Sequence, residues 1–137
     1  MDQNQTMDLL KAAPLFGGLS EKGLRAVLTA ATERSYSVSD KMVGEGDQGV
    51  GFYLILKGSA DVLKGGNKVA HLGTGAFFGE MGVLSGAPRN ADVIAAEDTT
   101  CVVLTPWALK SLISSHPDIA MEMLQELARR LRESGTS

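Results

Sequence analysis

The chain has 137 residues, 44% of them hydrophobic and 21% charged, a length that suits one domain with a buried core and excludes two full domains. Thirteen basic and sixteen acidic residues give a formal charge of −3, which excludes a broadly basic nucleic-acid-binding surface. Because Cys101 is the only cysteine, a disulfide framework, a zinc knuckle and a four-cysteine iron–sulfur cluster are also excluded. No segment has the pattern of a signal peptide or an apolar membrane span, so we expect a single cytoplasmic domain over residues 1–137 that has no membrane partner.

Residues 1–34 form the first of three regions, and their pattern predicts helices. Ser20 stands where an N-cap belongs, ahead of an amphipathic helix whose apolar face comprises Leu24, Val27, Leu28 and Ala31. A shorter helical turn is predicted around Asp8 to Ala13, because Pro14 and the pair Gly17–Gly18 interrupt the pattern after it.

Residues 35–105 have the pattern of closely spaced β-strands. Turn residues at roughly ten-residue spacing separate five predicted strands: Gly51 to Leu56, Ser59 to Leu63, Lys68 to Leu72, Asp92 to Ala96 and Cys101 to Leu104. This pattern predicts a mainly β fold with flanking α-helices, a sandwich or jelly roll, in place of alternating βαβ units.

Residues 106–137 return to a helical pattern, first around Trp107 to Ser114 and then, after Pro117, from Asp118 to Glu133. In the last helix, apolar residues repeat at spacings of 4, 3 and 4, at Ala120, Leu124, Leu127 and Leu131. The repeat is too short to predict a coiled coil. Three interpretations stay open: a helix docked on its own β domain, a homodimer seam along these four residues, or a lid.

Motifs for dinucleotide binding and catalysis fail in this sequence. Residues 44–49 have the GxGxxG spacing, but a predicted strand follows where a pyrophosphate-binding helix is required. Gly73, Gly75 and Gly79 also resemble that spacing, with the last glycine one residue late. Of the two histidines, His71 lies in a predicted strand without an evident partner and His116 precedes Pro117 in a helix–helix turn, so we expect no enzyme.

Residues 78–93 place a carboxylate, Glu80, and a guanidinium, Arg89, within apolar sequence. An ionised carboxylate accepts a hydrogen bond from a sugar hydroxyl, and the planar fork of a guanidinium suits phosphate oxygens. Gly79 permits close backbone approach to such a ligand. The alternative is that Glu80 and Arg89 pair with each other across a loop.

The same segment resembles the phosphate-binding cassette of the cyclic nucleotide-binding domain family, which includes catabolite activator proteins and regulatory subunits of protein kinase A. The resemblance rests on Phe78-Gly79-Glu80 followed, in register, by Pro88-Arg89-Asn90-Ala91-Asp92-Val93. Further landmarks in the family's order are Gly46-Asp47, Tyr53-Leu54-Ile55, Gly58 and Leu72-Gly73. The resemblance implies an antiparallel, jelly-roll-like β-roll over residues 35–105, with N-terminal helices and a C-terminal helical lid or dimer helix.

The resemblance also implies a set of ligand contacts. Glu80 would hold the ribose 2′-hydroxyl and Arg89 the cyclic phosphate, with support from Gly79, Met81, Asn90 and Ala91. Val62, Leu72 and Phe78 match positions that line the base slot, and Arg130 and Ser134 match positions near the base. Asn90 stands where the family usually has Ala, Ser or Thr, a position that helps to separate cAMP from cGMP.

The resemblance therefore implies a regulatory module that binds cAMP, ahead of cGMP, and signals to a downstream protein of unknown identity through its terminal helix. It requires no metal or other cofactor. Two alternatives stay open: a nucleotide-free β-roll that acts through protein contacts, and the effector part of a transcription regulator without its helix-turn-helix. Because a recognition helix has no counterpart in the sequence, we expect no direct nucleic-acid partner.

Overall fold

Two antiparallel β-sheets face each other in the computed structural model, which describes residues 3–13, 15–44, 51–79, 91–133 and 135. The strands are β1 (Thr32–Tyr36), β2 (Lys41–Val43), β3 (Phe52–Lys57), β4 (Ala60–Lys64), β5 (Asn67–Leu72), β6 (Phe77–Phe78), β7 (Asp92–Ala95) and β8 (Thr99–Leu104). The helices are α1 (Gln3–Leu10), α2 (Glu21–Ala30), α3 (Pro106–Ser115) and α4 (Pro117–Glu133). The predicted class, mainly β with flanking helices, is confirmed.

The strand order is β1-β8-β3-β6 in the first sheet and β2-β7-β4-β5 in the second. Every pairing found within the described ranges is antiparallel. The edge strands β5 and β6 follow each other in the chain, so the turn at residues 73–76 connects one sheet edge to the other. One side of the roll is therefore formed by a single continuous stretch of chain.

Strand β3 reads as one apolar run because both of its faces are buried. Phe52, Leu54 and Leu56 belong to a core between the first sheet and the helices. Tyr53 and Ile55 point the other way, into the core between the two sheets. The strand thus joins the helical layer to the interior of the roll.

Helices α2 and α3 begin at capping residues, of which Ser20 is predicted from the sequence and Thr105 is found in the structure. Ser20 Oγ accepts a hydrogen bond from the Gly23 amide at 3.2 Å, and Thr105 Oγ1 accepts one from the Ala108 amide at 3.2 Å. Helix α4 docks on the domain through Ile119 and Met123, both buried in the helical core. The docked helix, one of the three interpretations, is thus the arrangement observed.

Two regions differ from the sequence prediction. Strand β1 begins at Thr32, within the segment predicted as helical, and lies at a sheet edge with Thr32 to Ser35 exposed, so no apolar alternation marks it. Helix α1 ends at Leu10, because the Ala12 and Ala13 amides bond three residues back, to Leu9 and Leu10, and tighten the chain.

None of the helices in the described ranges has the length and apolar character that crossing a bilayer requires.

Candidate functional site

Three of the half-buried apolar side chains at the margin of the inter-sheet core are Val62, Leu72 and Phe78. Val62 and Leu72 come from β4 and β5, whose pairs Val62–Ala70 and Ala60–Leu72 turn the same face inward. Phe78, from β6 in the opposite sheet, packs against the same core. The structure thus brings together the three residues predicted to line a base slot.

Phe78 has a fixed orientation because it stacks on Tyr53. The two residues are register partners in the β3–β6 pair, and their rings lie 4.7 Å apart at an interplanar angle of 8°. Tyr53 is 1% exposed, and its hydroxyl donates a hydrogen bond to the Met42 carbonyl at 3.5 Å. The ring of Phe78 is therefore supported by the fully buried ring of Tyr53.

The turn at residues 73–76 is hydrogen-bonded to β3 through backbone groups of Ile55. The Gly75 amide donates to the Ile55 carbonyl at 2.8 Å, and the Ile55 amide donates to the Ala76 carbonyl at 2.9 Å. Gly75 has a φ of +87°, in the left-handed region where glycine carries no side-chain penalty. Strand β3 is therefore hydrogen-bonded to the turn and paired with β6, the strand that follows the turn.

The predicted cassette begins and ends at defined points of the roll. Gly79, directly after β6, has a φ of +78°, which turns the chain away from the strand direction. Ala91 is 9% exposed and leads into β7. Glu80, Met81, Arg89 and Asn90 lie outside the described residues, so their predicted ligand contacts stay predictions.

The contacts described for Arg130 are with α4 itself and with the turn between α1 and α2. Its Nε donates to Glu126 Oε1 at 2.9 Å, one turn earlier on α4. Its Nη2 lies 3.2 Å from the position that a Cβ would take on Gly17. The other residue predicted near the base, Ser134, lies outside the described residues.

His71 has a partner, which corrects the sequence-based interpretation. Its Nδ1 lies 2.6 Å from Asp61 Oδ1, and Lys68 Nζ lies 3.2 Å from the same oxygen. Hydrogen bonds from His71 and then Lys68 lower the pKa of the Asp61 carboxyl. Because Val62 and Leu72 point inward, their neighbours Asp61 and His71 point to the outer face of the sheet, away from the slot.

The remaining reactive groups have structural surroundings. Cys101 is buried in the inter-sheet core, and burial raises the pKa of its thiol to about 12, so the thiol is protonated at neutral pH. His116 ends α3 and separates it from α4, as predicted. Within the described ranges, no three His, Cys, Asp or Glu side chains gather as a metal site would require.

Sequence reasoning missed two residues of the site, Tyr53 and Ala76. Tyr53 was noted only as a landmark of the fold, although an aromatic residue in a strand buried on both faces is a frequent partner for a second ring. Ala76 packs at the slot margin and holds the turn to β3 through its backbone carbonyl, a role that leaves no signal in the side chain.

Comparison with known proteins agrees with this arrangement. A family model described as "Cyclic nucleotide-binding domain" matches residues 33–116. The chain is 37% identical over 95 residues to a cAMP-dependent protein kinase regulatory subunit of Yarrowia lipolytica, covering 69% of this chain and 24% of that protein. It is 34% identical over 130 residues to the cyclic AMP receptor protein of Thermus thermophilus, covering 91% of this chain and 60% of that protein. The chain thus spans about a quarter of the length of the first relative and three fifths of the length of the second.

Solved structures have the same architecture. The N-terminal domain of a transcriptional regulator from Streptomyces coelicolor superposes with a TM-score of 0.85 at 24% identity, covering 92% of this chain and 94% of that one. The Thermus thermophilus catabolite activator protein superposes with a TM-score of 0.69 at 34% identity, covering 90% of this chain and 60% of that one.

Proposed function

The chain belongs to the cyclic nucleotide-binding domain family, and from that premise we propose that it is a non-catalytic regulatory module that binds cAMP in preference to cGMP. The observation that carries the proposal is the packing of Val62, Leu72 and Phe78 at the margin of the inter-sheet core. All three are half-buried and apolar, as a purine base would require of its surroundings, and the chain turns at Gly79 directly after Phe78.

The proposed polar contacts come from the cassette between Gly79 and Ala91. We assign the ribose 2′-hydroxyl to Glu80 and the cyclic phosphate to Arg89, because a carboxylate accepts from a hydroxyl and a guanidinium pairs with phosphate oxygens. Backbone groups of Gly79, Met81, Asn90 and Ala91 support the same two groups. Binding is then read out by a change in the position of α4, to the extent that the nucleotide favours one position over the other.

The test is calorimetric titration and thermal unfolding with cAMP, cGMP and 5′-AMP. We expect cAMP to bind and to raise the unfolding midpoint by several degrees, since a ligand at 100 times its Kd stabilises by about 2.7 kcal/mol. Arg89→Ala removes the phosphate contact and should abolish both effects. The matched control is Arg34→Ala, which removes an exposed arginine from β1 and should leave both effects unchanged.

Each contrary result has a definite meaning. Binding of 5′-AMP as tightly as cAMP would overturn recognition of the cyclic phosphate. Unchanged affinity in Arg89→Ala would overturn the assignment of that residue. Failure of all three nucleotides to bind would favour a nucleotide-free β-roll that works through protein contacts.

A second candidate function is favoured by the outer face of α4. Leu124 and Leu131 are 61% and 55% exposed, although large apolar side chains are usually covered in a finished assembly. The chain is similar to the N-terminal domain of a transcriptional regulator, a similarity that at 24% identity concerns the fold. We propose as the alternative that this domain is the effector part of a longer regulator whose copies pair through α4.

A further inference from the structure

Glu126 is a buried carboxylate on a helix that otherwise carries its charges in solvent. Its side chain is 9% exposed, whereas that of Glu133 on the same helix is 62% exposed. A charge removed from water is tolerated only when it is paired and hydrogen-bonded. Glu126 meets that condition through two arginines: Arg129 donates to both carboxylate oxygens, and Arg130 Nε donates to Oε1 at 2.9 Å.

The carboxylate lies on the turn between α1 and α2, and the turn is shaped to receive it. A Cβ built on Gly18 would lie 2.8 Å from Glu126 Oε2 and 2.9 Å from Glu126 Cβ, closer than real Cβ contacts allow. The place is therefore open only because residue 18 is glycine. A Cβ on Gly17 would lie 3.2 Å from Arg130 Nη2, so the guanidinium rests on the neighbouring residue.

A third contact extends the same stripe of α4. Glu122 Oε2 accepts a hydrogen bond from the Ser20 amide at 2.9 Å, at the start of α2. Glu122, Glu126 and Arg130 are four residues apart and share one helix face. We call these three residues, with Gly17, Gly18 and Ser20 on the turn, the polar latch.

We propose that Glu126 is a positioning residue that holds Arg130 and α4 on the Gly17–Gly18 turn. Nucleotide binding then requires this polar latch to release. The inference rests on the proposed function, in which α4 moves, and on the family resemblance, which implies that Arg130 lies near the base of a bound nucleotide. Its guanidinium is held by Glu126 and rests against Gly17 in the structure, so under this inference it leaves Glu126 when it contacts the base. Pairing with Glu126 therefore competes with the nucleotide for Arg130.

The competition fixes the direction of the effect. When only a fraction of the molecules is competent to bind, the measured Kd rises in inverse proportion to that fraction. A weaker latch enlarges the unlatched fraction and must tighten nucleotide binding, while a merely structural role for Glu126 would leave binding unchanged or weaken it. A gain of affinity on removing a buried charge is thus the distinguishing signature.

The experiment compares Glu126→Gln with Glu133→Gln by calorimetric titration of cAMP and by hydrogen exchange of the nucleotide-free protein. Glu126→Gln keeps the shape of the side chain and removes its charge, so we expect faster exchange of the α4 amides and a Kd for cAMP lower by about 3- to 10-fold. Glu133→Gln removes an exposed partner of Arg129 and should change neither quantity. Gly18→Ala, which displaces Glu126 by its new Cβ, should act in the same direction as Glu126→Gln.

The outcomes separate the latch from the proposed function. If the wild type binds cAMP and Glu126→Gln binds it equally or more weakly, the latch is overturned and the proposed function stands. If α4 exchanges no faster in either latch variant, the latch is overturned whatever binds. If the wild type binds no cyclic nucleotide, the link to binding falls with the proposed function, and exchange alone reports whether Glu126 holds the helix.

Discussion

Tyr53 packs behind Phe78, one of the residues predicted to line the base slot. Its ring is buried between the sheets and forms the platform on which Phe78 stacks. Phe78 directly precedes Gly79, whose positive φ turns the chain after β6. The orientation of Phe78 therefore depends on a ring contact in the inter-sheet core.

We expect Tyr53→Leu to weaken cAMP binding by about 10-fold and to destabilise the protein by about 1–3 kcal/mol, because the loss of the stack frees Phe78 and leaves a void. Tyr53→Phe keeps the ring and should retain the affinity. The measurements are calorimetric titration at a temperature where every variant is folded, and denaturant unfolding.

The matched control for this prediction is Phe52→Leu, on the same strand. Phe52 packs edge-on against Phe16 and lies 6.1 Å from the Phe77 ring in the helical core, so its loss destabilises the protein from the face of β3 opposite to Tyr53 and Phe78. Equal loss of cAMP affinity in Phe52→Leu and Tyr53→Leu would show that the effect is general destabilisation. A loss confined to Tyr53→Leu would establish Tyr53 as a positioning residue.

At the scale of the element, the β4–β5 hairpin shows what the sequence predicts and what it cannot. Glycines 65 and 66 predict a tight turn, and Lys64 pairs with Asn67 across it. Regular pairing from that turn would place Ala70 opposite Asp61. A register shift after Leu63–Lys68 places His71 there instead, and a bulge of this kind has no reliable mark in the pattern.

This one-residue shift creates the ion-pair cluster of Asp61, and the cluster gives the hairpin a pH dependence. The pKa of Asp61 is lowered in the folded protein from its ordinary value of 3.8. The unfolded chain therefore takes up the proton first as the pH falls, and the stabilisation by Asp61 is present above about pH 4 and lost below it. We expect the difference in denaturation midpoint between wild type and Asp61→Asn to shrink as the pH falls below about 4.

The control for the pH dependence is Asp8→Asn, an exposed carboxylate on α1 outside the hairpin. Its difference from wild type should be small throughout, because an isolated surface charge contributes little. A difference for Asp61→Asn that grows as the pH falls would contradict the sign derived from the ion-pair cluster.

Helix α4 shows the same division between pattern and contact. Its apolar spacing predicted a helix from Asp118 to Glu133, and the structure has Pro117–Glu133. The spacing left open which side docks, because Ile119 and Met123 are apolar and so are Leu124 and Leu131. Ile119 and Met123 are the apolar residues that dock, and Glu126 lies beside them against Gly18, a contact of which the glycine pair gives no sign in the sequence.

At the scale of the whole molecule, the described helices cover the outer face of the first sheet. The helical core joins α1, α2, α3 and α4 to that sheet, and the inter-sheet core joins it to the second sheet and the slot. Strand β3 contributes to both cores through its alternating side chains. A change at the slot and a change at α4 therefore reach the same strand from opposite faces.

The outer face of α4 supplies the last prediction, the pairing of two chains. Leu124 and Leu131 are one heptad apart and exposed, and Ala120 and Leu127 complete the apolar spacing, with Leu127 also packed against the helical core. We expect the wild type to dimerise reversibly in sedimentation equilibrium. The double variant Leu124→Glu/Leu131→Glu should be monomeric, because pairing of two α4 helices would bring the new negative charges together. Gln125→Glu, which adds a charge beside the stripe, should remain dimeric. The monomeric variant should still bind cAMP, because neither leucine is among the residues predicted to contact the nucleotide. A wild type that stays monomeric at every concentration would contradict the seam.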